Sequence, residues 1–196
     1  MSHGGSIIIT GGTAGLGYLV LGSRTDGDGA ADRINAELGQ SNTICTPLDL
    51  SDIGSVRKYA ENWASKGYPS IRALLLNAAL LIPGAMQKRS DGLEKTFSIT
   101  HVGNAALFHL MFPHLASNAR VVVVSSGTHD PAQVAGMPDP SYSSAEGLAR
   151  PSGTDINMSG WQRYPTAKLC NVLWGWTVAY LSNATDSEKS RLGVFT

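Results

Sequence analysis

Charge is the first thing this sequence is short of. Its 196 residues carry 15 basic and 15 acidic side chains, for a formal net charge of zero. With no basic run to meet phosphates, nucleic acid is not expected as the main partner. Cysteine is scarcer still. Cys45 and Cys170 lie outside any metal-ligand spacing and read as buried reduced thiols, which suits a cytoplasmic protein. The histidines, His3, His101, His109, His114 and His129, form no close metal-binding pair, so no metal site is expected. Long apolar runs are missing as well. The longest, residues 73–82, is interrupted by Asn77 and is far below the ~20 residues that span a bilayer. The opening MSHGGSIIIT has neither the basic start nor the small-residue cleavage site of a secretory signal.

What is present is a rhythm. With 42% hydrophobic residues, length and composition suit one globular domain over 1–196. Short β-branched runs at 6–10, 19–23, 43–46, 72–76, 120–125 and 191–196 read as strands. Helical periodicity fills 30–38, 51–66, 91–115 and 165–182. Nearly continuous apolar strands alternating with helices predict a parallel sheet covered on both faces. Such a sheet holds its ligand at the carboxyl ends of the strands. Proline and glycine concentrate between 127 and 160, which reads as one long loop inserted over the site.

The first strand runs into TGGTAGLG, in which Gly11, Gly15 and Gly17 form T-G-x-x-x-G-x-G. Glycines at such a turn let backbone amides approach a pyrophosphate, with a helix N-terminus behind them. A glycine-rich turn without a ligand fits the same letters. Three further motifs add specificity: NAA at 77–79 after the fourth strand, VVVVSS ending in Ser125 and Ser126 after the fifth, and YPTAK, which places Tyr164 and Lys168 at i,i+4. In this order the four motifs resemble the short-chain dehydrogenase/reductase family, from about residue 6 to 196. YPTAKLCNVL is most similar to the retinol-dehydrogenase-like and protochlorophyllide-reductase-like branches.

The resemblance implies a Rossmann-type doubly wound α/β fold in three layers. It implies an NAD(P)-dependent oxidoreductase that interconverts a carbonyl and an alcohol by hydride transfer. A phenol with a pKa near ~10 needs help to work at neutral pH, and a lysine one turn later supplies a cation that favours phenolate. By resemblance Tyr164 is the general acid/base, Lys168 also holds the nicotinamide ribose, and Ser126 rather than Ser125 hydrogen-bonds the reacting oxygen. Gly11, Thr13, Gly15, Leu16, Gly17, Ser23, Arg24, Asp49, Leu50, Asn77 and Ala78 would line the cofactor. Arg24, placed where the adenosine ribose would lie, favours the 2′-phosphate of NADP(H), with NAD(H) the alternative. A hydrophobic small-molecule substrate and a homodimer through the helices at 91–115 and 165–182 complete the implied picture.

Three departures cut against it. FSITHVG places Thr100 where the family's catalytic set has an asparagine, and Asn104 stands one turn away. The printed chain reaches VFT just as its last strand begins, so the pattern is incomplete there. Only Tyr18 separates Gly17 from Leu19, where a crossover helix of about a dozen residues belongs. Either a segment is missing or this is a shortened variant. The second functional reading is therefore a catalytically weak or inactive nucleotide-binding or interaction protein of the same fold.

Overall fold

A computed structural model describes residues 17–181, together with two strand segments at 6–9 and 192–195. The proposed phosphate-binding positions Gly11, Thr13, Gly15 and Leu16 lie outside the described residues. The sheet has six strands: β1 (Ser6–Ile9), β2 (Leu19–Ser23), β3 (Thr43–Pro47), β4 (Ile71–Leu76), β5 (Leu115–Val124) and β6 (Leu192–Phe195). Their order, β3-β2-β1-β4-β5-β6, is that of a doubly wound sheet. The pairs β2–β3, β4–β5 and β5–β6 are parallel.

β1 corrects the all-parallel expectation. It runs antiparallel to both neighbours, pairing Ser6 with Gly22, Ile9 with Leu19, and Ile9 with Ala73. Gly17, Tyr18 and Leu19 are consecutive described residues. Parallel neighbours need a crossover long enough to return the chain to the starting edge, and no helix separates Gly17 from Leu19. Reversing β1 removes that requirement. The reversal also brings the end of β1 beside the amino-terminal ends of β2 and β4. Gly17 stays at that same edge, where its carbonyl accepts from Asn42 Nδ2 at 2.6 Å.

The main core lies on one face. Val20, Leu74, Leu76, Val121 and Val123 are buried against Val56, Tyr59, Ala60 and Trp63 of α2 (Ile53–Ser65) and Leu107, Phe108 and Met111 of α4 (Gly103–Met111). Asp52 caps α2, its carboxylate accepting from Gly54 N at 2.9 Å. Leu75 and Val122, on the other face, are only half-buried. Coverage is thus less even than continuous apolar strands suggested. The short α1 (Ala30–Leu38) packs beside β3.

The helix expected over 91–115 is shorter and broken. Gly92 sits at φ 84°, and helical structure begins only at α3 (Lys95–Phe97). A π-helical turn, Ser98–Val102, joins α3 to α4; it is closed by Gly103 N–H bonding to Ser98 O. Pro113 ends the run, and Leu115 already belongs to β5. Residues 127–160 are not a plain loop: they contain helical turns at Gly127–His129, Pro131–Gln133 and Gly153–Asn157, and the short α5 (Ala145–Ala149). The last helix, α6 (Gly160–Leu181), starts five residues before Pro165 and so upstream of the 165–182 segment read from periodicity, with Pro165 inside the helix. Its first turn is anchored at Ser159, whose carbonyl accepts from Gln162 N and Arg163 N. Pro165 then leaves only the Trp161 carbonyl without its helical partner.

Candidate active site

β5 delivers two serines with different tasks. Ser125 is buried, and its hydroxyl donates to the Lys168 carbonyl at 2.8 Å, fastening α6 to the strand. Ser126, half-buried, lies beside the Tyr164 side chain, near enough to favour its ionised form. Its oxygen also accepts from Thr128 N at 3.3 Å and Thr128 Oγ1 at 3.0 Å. The structure therefore brings Ser126 and Tyr164 together and gives Ser125 to packing.

Lys168 is nine-tenths buried or more, with its Nζ 5.7 Å from the centre of the Tyr164 ring. The Nζ donates to Val124 O at 2.9 Å. Burial lowers its pKa from 10.5 to about 8. Burial raises the Tyr164 phenol, and Ser126 acts in the other direction. The expected lowering of the phenol by Lys168 is not what this arrangement produces. The cation is spent on a strand carbonyl, and it lies over the ring.

A cleft of about 180 Å³ opens at the carboxyl ends of β2, β3 and β4. Arg24, Asp49, Leu50 and Ala78 line it together with Lys95 and Leu80. Asp49 is held by its own turn, its carboxylate accepting from Ser51 N at 2.8 Å. Arg24 is exposed and also borders a second hollow of about 380 Å³, which includes Ser23, Thr25 and Asp26. Asn77 is exposed next to buried Ala78. Gly17 departs from the expected cluster. It precedes β2 at the amino edge of the sheet, whereas Arg24, Asp49, Ala78 and Ser126 follow strands at the carboxyl edge.

Thr100 is fully buried, its hydroxyl accepting from Leu80 N at 3.0 Å. Asn104 supports the same loop: its Nδ2 donates to Ala78 O at 2.8 Å and to Thr100 O at 3.0 Å. Both side chains shape the NAA segment from beneath. Among the described residues no group of three or more His, Cys, Asp or Glu is placed to hold a metal. Cys45 and Cys170 are free, and burial pushes the Cys170 thiol up to about 12.

No protein-family model matches the chain. The WW domain-containing oxidoreductase of Gallus gallus is 33% identical over 186 aligned positions, which cover 86% of this chain and 43% of that protein. The Bos taurus dehydrogenase/reductase SDR family member 13 is 29% identical, covering 88% of this chain and 46% of its own. A short-chain dehydrogenase from Burkholderia cenocepacia J2315, solved in complex with NADP, superposes with a TM-score of 0.58 at 17% identity, over 90% of this chain and 60% of that one. The chain belongs to the short-chain dehydrogenase/reductase family.

This short-chain dehydrogenase/reductase chain spans under half the length of the curated relatives it matches. The 186-position alignment exceeds the share of this chain that it uses, so the chicken relative carries internal residues with no counterpart here. Sequence reading missed several supports of the site. Thr128 and the His129 ring both bond Ser126, as an S-x-T turn at a strand end could have signalled. Asn171 lies one turn beyond Lys168, and its Nδ2 donates to Thr100 O at 3.1 Å. Arg163 and Glu94 form a buried ion pair at 3.3 Å. Neither residue stood out in sequence, because partners far apart in the chain meet only in the fold.

Proposed function

We propose that the protein is an NADP(H)-dependent oxidoreductase that interconverts a carbonyl and an alcohol on a hydrophobic small molecule. The observation that carries this reading is the placing of Ser126 beside the Tyr164 side chain with Lys168 over the same ring, at the end of the strand next to the cleft. A bound nicotinamide would supply the hydride. Tyr164 would give the carbonyl oxygen its proton, or take one from the alcohol, and Ser126 would hold that oxygen by hydrogen bond. Arg24 at the junction of the two hollows suits a 2′-phosphate, and Asp49 the adenosine side. The free thiols fit a reducing, cytoplasmic setting. Exposed Leu173, Trp176 and Tyr180 along α6 leave an apolar surface for a second copy. Among the described residues no helix is long and apolar enough to cross a membrane.

Tyr164→Phe should reduce turnover of ketones and aldehydes by at least about a hundredfold while NADPH binding, followed by fluorescence titration, stays within about twofold. Retained turnover rejects the acid–base assignment.

One observation favours a second reading, a nucleotide-binding chain with weak or no catalysis. β1 ends at the sheet edge opposite Tyr164, away from the cleft that a glycine turn would have to complete. NADPH binding without turnover on any carbonyl would select this reading.

A further inference from the structure

Two charges are buried beside Tyr164 without being part of the group just described. Arg163 is 6% exposed and Glu94 is 1% exposed, with Arg163 Nε 3.3 Å from Glu94 Oε1. The guanidinium also donates to Met158 O and, at 3.0 Å, to Gly84 O. The other Glu94 oxygen accepts from Phe97 N at 2.6 Å, and the Glu94 N–H donates to Ala149 O at 2.8 Å. Phe97 leads directly into the π-helical turn that holds Thr100. A single ion pair thus ties the first turn of α6, which carries Tyr164, to the element that carries Thr100 and to the loop after β4. That loop is pressed against α6 a second time, since a methyl group on Gly160 would collide with the Ile82 carbonyl.

We propose that Arg163 and Glu94 are a positioning pair for Tyr164, fixing the rotation of the α6 first turn against the loop after β4. The proposal rests on Tyr164 being the acid–base group. A buried ion pair is a poor source of stability, because desolvation offsets most of its attraction, and packed apolar side chains often do as well. What it adds is direction. A planar guanidinium that donates to two carbonyls, with its Nε facing a carboxylate oxygen at 3.3 Å without a hydrogen bond, has little freedom to turn. Tyr164 is the next residue along the helix, so a rotation of that turn moves its hydroxyl. Misplacing a reacting group by about 1 Å can cost on the order of a hundredfold in rate.

The test is the double variant Arg163→Met/Glu94→Gln in the full chain. It leaves no unpaired charge in the interior and keeps an acceptor for Phe97 N–H. With 13C-labelled tyrosine, the ring signal of Tyr164, assigned by its loss in Tyr164→Phe, should move while those of Tyr59 and Tyr68 stay in place. With decanal and 4-nitrobenzaldehyde as probes, kcat should fall about tenfold to a hundredfold, with NADPH affinity unchanged within about twofold. An unmoved Tyr164 signal overturns the positioning role. So does a kcat loss that merely follows shifts of all the tyrosines. Wild-type protein that reduces neither aldehyde, but whose Tyr164 signal still responds to the variant, rejects the acid–base reading and leaves the positioning role standing. If the double variant does not fold, Arg163→Lys, which keeps the charge and loses the fork, is read by the same signals.

Discussion

At the scale of the residue, burial sets the properties of the site. Lys168 has its pKa held at about 8, against 10.5 for an ordinary lysine, by burial. Between those values the unfolded chain binds a proton that the folded chain does not, so stability gains as pH rises through that window. Below about pH 8 the cost of burying the ammonium is fully present. Lys168→Met should therefore stabilise the protein relative to wild type at pH 7, by up to about 3 kcal/mol, and the advantage should vanish above pH ~10.5. Urea denaturation of both proteins across pH 7–11 measures it; a constant difference would refute it. Arg24 makes a different prediction, since it is exposed at the mouth of both hollows. Arg24→Asp should shift the preference in cofactor titrations from NADPH towards NADH by at least about tenfold. Tyr164, Lys168 and Ser126 were legible because their spacing is local or tied to a strand end. The state of the phenol was not, because it depends first on burial, which raises its pKa, and burial is set by elements far apart in the chain.

At the scale of the element, close approach between backbones does what side-chain patterns do not record. Gly103 opens α4 against the Leu50 carbonyl, and an added methyl would also lie 2.8 Å from Leu50 Cβ. Gly103→Ala should lower the urea midpoint by the equivalent of about 1–3 kcal/mol, and weaken NADPH binding because Leu50 lines the cleft. Unchanged stability would show that the helix can shift away freely. Helical spacing over 91–115 predicts a stripe of Leu93, Phe97, Thr100, Asn104, Leu107 and Met111, and all but the half-buried Leu93 are buried. The π-helical turn within it was not readable, since one extra residue in a turn barely alters an apolar pattern. The boundaries of the 91–115 segment were misjudged for a related reason. Periodicity continued past Gly92 and Pro113, while backbone conformation did not.

At the scale of the whole molecule, the family resemblance implied a doubly wound sheet but not the direction of its first strand. Direction at β1 follows from the length of a single connection. Reversal pairs Ser6 with Gly22. The double variant Ser6→Cys/Gly22→Cys, with Cys45 and Cys170 replaced by serine, should therefore form a disulfide under mild oxidation, detected by peptide mass mapping. Antiparallel partners lie about 4.5–5.5 Å apart at Cα, within reach of such a bridge. Parallel pairing would place Ser6 at the other end of β2 and give none. The half-buried Leu75 and Val122 belong to the same account, since among the described residues no helix joins β1 to β2 and lies over them. Junction length here behaves like the setting of a valve. Lengthening the link between Gly17 and Leu19 by a dozen helix-forming residues would lift the constraint that reverses the first strand and let β1 pair in parallel with β2 and β4.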